Sequence, residues 1–182
     1  MKKLMLALFG STVIFAQDIP DMRILDGIGQ AQKSIELAKL TEADKIDPYH
    51  FEKARINKDI ASILASTMDE IGAKVFLVKS FSATSKAMSG KYTLDELSLV
   101  EKETNLTESL NIDLNLMTSK LLKLREEKAL TCTPVELARA EAYYDALLYE
   151  LSKEKPSPTH LIDFYQKGIR NIDIAFEKIE IA

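Results

Sequence analysis

The chain has 182 residues, with 24 basic against 28 acidic side chains, a formal charge of −4, one cysteine, six glycines and five prolines. An acidic balance without any run of five or six basic residues excludes an electrostatic surface for nucleic acid or anionic lipid. A single cysteine, Cys132, excludes an intramolecular disulfide, so stability has to come from packing.

Residues 1–16 begin Met-Lys-Lys and stay uncharged from Leu4 to Ala16, ahead of Gln17-Asp18-Ile19-Pro20. A basic end, a short apolar core and a small residue before polar sequence make a secretory leader. The run is shorter than the roughly 20 residues that span a bilayer, so no transmembrane segment is expected after cleavage. Cleavage is expected between Ala16 and Gln17, although Ile14 stands where a small residue is usual. No cysteine follows the apolar core, which speaks against a lipid anchor. Losing Lys2 and Lys3 leaves 22 basic against 28 acidic residues, a mature charge of −6. About 166 residues remain, enough for one domain with a real core or two small ones. The expected division is a helical unit at 17–92 and a second at 93–182, able to form one continuous domain.

Abundant Ala, Leu, Lys, Glu and Ile read as helix. Apolar spacing predicts helices at 22–45, 48–67, 70–89, 94–130, 134–153 and 158–180, with Lys74–Phe81 the one stretch ambiguous with strand. The expected fold is all-α, an antiparallel bundle of about six helices whose fourth, if unbroken, is roughly 50 Å long at 1.5 Å per residue. Four starts carry capping signals. Asp47-Pro48 is bracketed by Ile46 and Phe51; Thr93 by Tyr92 and Leu97, with Glu96 completing a capping box. Thr133-Pro134 is bracketed by Cys132 and Leu137, with Glu136 completing another, and Ser157-Pro158 is followed by Leu161. Proline at the first helical position sacrifices an N–H that has no intrahelical partner, and the preceding side-chain oxygen accepts from an N–H further in.

Leu137, Ala140, Tyr144, Leu147 and Leu151 form a seam of coiled-coil type, and Leu106, Leu110, Leu114, Met117, Leu121 and Leu124 form another. Shifted back by 86, the first seam lands on Phe51, Ala54, Lys58, Ala61 and Ala65, while Ala129 lands on Ala43. The chain therefore reads as a duplicated three-helix unit, 22–89 and 94–180, with chance periodicity as the competing account. Small residues crowd the seams, at Ala54, Ala61, Ala65, Ala73, Ser80, Ala83, Ala87, Ala138, Ala140, Ala142 and Ala146. They predict close helix packing and slender bundles rather than a wide pocket.

The string Cys132-Thr133-Pro134-Val135-Glu136-Leu137-Ala138-Arg139-Ala140-Glu141, followed by Tyr144, Leu147 and Glu150-Leu151, resembles a family of uncharacterised helical periplasmic domains that often precede an OmpA-like peptidoglycan-binding domain. The likeness covers 129–153 well and the first unit, through Ala43, Pro48 and Ala54, weakly. It implies an envelope location and a helical fold of unknown activity. Thr133 departs from the family's alanine, Ser152–Pro156 replaces its small turn, and no OmpA-like domain follows in this sequence, so peptidoglycan binding is not carried over.

Chemical motifs are sparse. The histidines, His50 and His160, fall at the third position of predicted helices, where exposed polar residues are ordinary, and no metal-ligand spacing joins them. No metal or cofactor is expected. Cys132 is expected to pack on Leu137, with a reactive thiol as the sharper alternative. Glu101-Lys102-Glu103 and Arg125-Glu126-Glu127-Lys128 read as intrahelical ion pairs. Tyr143, Tyr144, Tyr149, Phe164, Tyr165 and Phe176 read as core, or else as a groove for a peptide. These readings lead to a non-enzymatic periplasmic module, with outer-membrane association as an option, that binds or spaces an envelope protein. Self-association is an alternative outlet for the apolar residues off the long seam, Leu99, Ile112, Leu116 and Leu122. The alternative function is a periplasmic carrier of a small apolar ligand, and an enzyme ranks third.

Overall fold

The computed structural model describes residues 23–90, 92–99, 105–126 and 128–181. The expected leader at 1–16 with its Ala16–Gln17 bond, and the Glu101–Glu103 cluster, lie outside the described residues. Among the described residues the fold is all-α and contains no strand; Lys74–Phe81 is helical. The helices are α1 (Ile24–Leu40), α2 (Ala43–Ile46), α3 (Pro48–Ser66), α4 (Glu70–Ser89), α5 (Asn105–Ser109), α6 (Leu114–Glu126), α7 (Ala129–Cys132), α8 (Pro134–Leu151) and α9 (Pro158–Ile181).

Pro48 starts α3 as expected, because Asp47 accepts the backbone N–H of His50 at 3.0 Å. Asp69 starts α4 in the same way through Gly72, at 2.9 Å. The corner between them is a Schellman turn: Met68 adopts φ 63°, the Asp69 N–H reaches the Leu64 carbonyl and the Met68 N–H reaches Ala65. The same device recurs with Asn111 at φ 54°, Ile112 bonded back to Thr107, and Asp113 capping α6 through Leu116.

This second corner corrects the expected long helix at 94–130. Residues 92–99 are not helical, the Thr93 capping box does not start a helix, and the span beyond contains α5, α6 and α7. Asp95 is the physical reason at the front, since its carboxylate and its backbone carbonyl are both bound by other elements. The left-handed Asn111 ends α5 further on. The first helix is likewise split, into α1 and α2, at Glu42 with φ 62°. At Pro134 the start holds but the capping box does not form: Thr133 makes no cap bond, and Glu136 pairs instead with Lys178 of α9 at 2.6 Å.

The two halves follow one plan. α2, its cap and α3 begin at 43, 47 and 48; α7, its cap and α8 begin at 129, 133 and 134, each 86 residues later. The last helices match at an offset of 88. The buried positions of α9, namely His160, Leu161, Phe164, Gly168, Ile172 and Ala175, stand opposite Gly72, Ala73, Phe76, Ser80, Thr84 and Ala87, all buried in α4. Within each half the main packing is a hairpin, α3 on α4 and α8 on α9, and the halves meet through α3 against α8. The seam alanines 54, 61, 73, 83, 87, 138, 140, 142 and 146 are buried, which lets these helices approach closely. One core cluster runs through both halves, from Tyr49, Ile60 and Phe76 to Tyr144, Leu147 and Phe164.

A buried polar hub and a candidate functional cleft

Tyr49, Lys53 and Asn57 recur at i, i+4 and i+8 on α3, so they line one face of that helix, and all three are buried. Opposite them α8 presents Glu141, and α6 presents Arg125. Lys53 Nζ donates to Glu141 Oε2 at 2.8 Å and to Tyr49 Oη at 3.0 Å, and pairs with Asp95 Oδ2 at 2.9 Å. Three donors thus meet three acceptors. Glu141 also accepts from the Tyr49 hydroxyl and from Arg125, whose other nitrogen donates to the Asp95 carbonyl. Lys86 of α4 and His50 of α3 share Asp95 Oδ1, and the second ring nitrogen of His50 lies 2.6 Å from Asp47. Non-helical residues 92–99 are therefore strapped across the α3–α4–α6 junction by one residue, Asp95, whose carboxylate binds α3 and α4 and whose carbonyl binds α6. Tyr92 adds a bond to the Leu130 carbonyl, and its hydroxyl is pushed up to about 12 by burial and by Asp47.

The electrostatics hold Lys53, Tyr49 and Asp95 each in one state. Burial pulls the Lys53 ammonium down, but Glu141, Tyr49 and Asp95 outweigh it and hold it above its ordinary value. Burial and the neighbouring Glu141 push the Tyr49 hydroxyl well up. Burial would raise Asp95, yet the His50 bond and the charge of Lys53 hold it far below the usual carboxylate range. His50 is pulled down by burial and up by Asp95 and Asp47, with a net rise. Lys53 is charged, Tyr49 is protonated, and both nitrogens of His50 face carboxylates. In this arrangement none of the three offers a free base or nucleophile; the hub works as a clamp.

The structure corrects the reading of both histidines. His50 is 0% exposed and His160 9%, although they do occupy third helical positions. His160 faces Glu150 at 3.3 Å, and Glu150 also accepts the Ser157 N–H and pairs with Lys153, both at 2.6 Å. Cys132, expected to pack as a staple, is exposed, while Leu137 is fully buried without it. Of the apolar residues expected off the seam, Ile112 is buried in the core, and Leu99, Leu116 and Leu122 are exposed by 57%, 43% and 37%. Tyr144 and Phe164 are core, whereas Tyr149 reaches Asp69 at 3.1 Å and joins α8 to the cap of α4.

Against the hub, Lys53, Asn57, Val78, Lys79, Ala83, Lys86, Asp95 and Asp145 line an open cleft of about 320 Å³ between α3, α4, α8 and the strap. Two further clefts lie at Ile56–Arg139–Lys167–Arg170 and at Ile35–Glu36–Phe51–Arg55, also edged by charged groups. No group of three or more His, Cys, Asp or Glu residues that could hold a metal occurs among the described residues. Among them, too, no helix is long and apolar enough to cross a membrane.

The hub is barely legible in the sequence, since it joins side chains as far apart as Lys53 and Glu141. The one signal for it in the sequence is the spacing of Tyr49, Lys53 and Asn57 along one helix face; Lys58, the polar residue within the apolar seam, is only half-buried. Compared with known proteins, the chain matches no family model, no curated protein and no solved structure.

Proposed function

We propose that the chain is an exported helical module of the bacterial cell envelope that binds a protein partner through an exposed helix face and performs no chemistry of its own. One observation carries this reading: Leu116 and Leu122 of α6 and Leu99 of the strap stay exposed although the helices around them are packed. An apolar set left outside the core gains stability when a second surface covers it, at roughly 25 cal/mol per Å². The leader read at 1–16 supports export, and the resemblance at 129–153 supports the envelope.

The alternative, a carrier of a small apolar ligand, draws no support from the three clefts, whose edges are charged. Crosslinking in intact cells followed by mass spectrometry tests the main reading. Leu116→Glu with Leu122→Glu should leave the fold intact and abolish a specific crosslinked partner. Recovery of the same partner from the double variant, or of no specific partner from the parent chain, would overturn it. N-terminal sequencing of the product tests export, with Gln17 as the expected first residue.

A further inference from the structure

The outer face of α4 is out of keeping with its counterpart in the second half. Ile71, Val75, Val78, Ser82, Ser85 and Ser89 follow one another at steps of four and three, which sets them along one side of the helix, and all are exposed. Ile71 is 74% exposed, Val78 61% and Val75 37%. At the offset of 88 that matches the buried faces of α4 and α9, the same positions of α9 hold Thr159, Asp163, Gln166, Arg170, Asp173 and Glu177, all polar and none buried. One face of the shared plan is thus polar and charged in the second half and carries no charge in the first. The stripe is also graded, with β-branched apolar residues at its first three positions and serines at its last three.

From this stripe we propose that α4 pairs with α4 of a second copy of the chain, antiparallel about a two-fold axis close to Ser80. The steps of four, three, four, three and four are symmetric about that point, so a two-fold rotation lays the stripe on itself, as an interface between identical patches requires. Ile71 then faces the partner's Ser89, Val75 the partner's Ser85 and Val78 the partner's Ser82, so a bulky side chain meets a small one in every layer. A parallel pairing would crowd the apolar end and leave serine against serine at the other. Charge points the same way, because the lysines beside the stripe are already neutralised, Lys79 by Asp145 at 2.8 Å and Lys86 by Asp95. Such a face does not repel an identical copy, and it offers nothing to a strongly acidic or basic partner. Area sets the strength: the stripe is roughly 27 Å long at 1.5 Å per residue and a helix is about 10 Å wide, well short of the roughly 800 Å² per partner of a standard stable interface. The dimer is therefore weak and reversible.

This face is separate from the apolar face of α6, so either reading can fail without the other. Sedimentation equilibrium of the full chain should show monomer and dimer exchanging with a dissociation constant of about 10–100 µM. Ile71→Lys with Val78→Lys, both at exposed positions, should weaken the dimer at least tenfold with helix content unchanged, whereas Leu116→Glu with Leu122→Glu should leave it as it is. Cross-linking reads the direction of pairing. In a Cys132→Ala background, a mixture of Ile71→Cys chains and Ser89→Cys chains should oxidise to a disulfide-linked pair of the two kinds. Neither kind alone should cross-link, because antiparallel pairing holds its two copies of the cysteine roughly 27 Å apart. A chain that stays monomeric at about 500 µM, a dimer unmoved by the paired lysines, a dimer lost with the α6 face instead, or cross-linking of Ile71→Cys with itself would each overturn the proposal.

Discussion

Glu141 is the side chain on which most of the buried charge converges. It is 1% exposed and takes bonds from Tyr49, Lys53 and Arg125, so neutralising it removes a carboxylate partner from buried Lys53 and part-buried Arg125. Removing one partner from a buried pair costs roughly 3–5 kcal/mol. Asp95 still faces Lys53, which places Glu141→Gln near the lower end, about 3 kcal/mol, or a fall of roughly 6–12 °C in Tm measured by circular dichroism. His50 supplies a pH signature. Its folded pKa lies above the ordinary 6.5, so its contribution is complete below that unfolded value and fades as pH rises through the folded one. Asp95 has the opposite sign: its contribution is present above the ordinary 3.8 and is lost only as strong acid protonates it. Denaturant titrations should therefore show stability declining from about pH 6.5 upward, and His50→Gln should flatten that decline. Cys132 is at the other extreme, exposed and clear of the hub. Cys132→Ala should stay within about 0.5 kcal/mol of the parent.

At the scale of elements, periodicity made α3, α4, α8 and α9 legible, because each carries an apolar stripe, α3, α8 and α9 each begin on a proline, and two of them pack as each hairpin. The stretch from 92 to 126 was not legible in the same way. Leu106, Leu110, Leu114, Met117, Leu121 and Leu124 keep a helical period across a corner at Asn111, since a Schellman turn continues the burial of one face while reversing the backbone. Nor does sequence spacing reveal that Asp95 would be claimed by α3 and α4, whose side chains arrive from 45 and 9 positions earlier. Two glycines now distinguish close packing from simple flexibility. A Cβ at Gly72 would lie 2.6 Å from the capping Asp69 Oδ2 and 2.7 Å from the Tyr149 ring, neither of which moves without disturbing a bond. A Cβ at Gly168 would meet chiefly the terminal methyl of Met117, the mobile end of a flexible side chain. Alanine gains up to about 1 kcal/mol of helix propensity at either site, while overpacking costs roughly 1–3 kcal/mol. Gly72→Ala should therefore lose about 1 kcal/mol and Gly168→Ala should be neutral or stabilising, as read from denaturation midpoints; equal effects would remove the distinction.

Across the whole molecule, the position of the hub decides how the halves behave together. Each half has its own hairpin, and a plan repeated at offsets of 86 and 88 would allow two independently melting units. The contact between them argues otherwise, because α3 packs on α8, and Lys53 and Tyr49 bond Glu141 across that contact. Arg139 to Glu52, at 2.6 Å, and Lys79 to Asp145 span the same divide, as does Asp69 with Tyr149 and Lys153. Separating the halves would expose the apolar faces of α3 and α8 and would leave Glu141 parted from Lys53 and Tyr49, so a state with one half folded is costly. Unfolding should consequently be a single transition, with helix content followed by circular dichroism and the tyrosine signal giving coincident curves. Those tyrosines are placed to report on both halves, with Tyr49 in the first and Tyr143, Tyr144 and Tyr149 in the second. Glu141→Gln removes the charge at the centre of the contact and should pull the two curves apart before either half loses its own hairpin. Two separated transitions in the parent chain would mean that the contact, hub included, does not couple the halves.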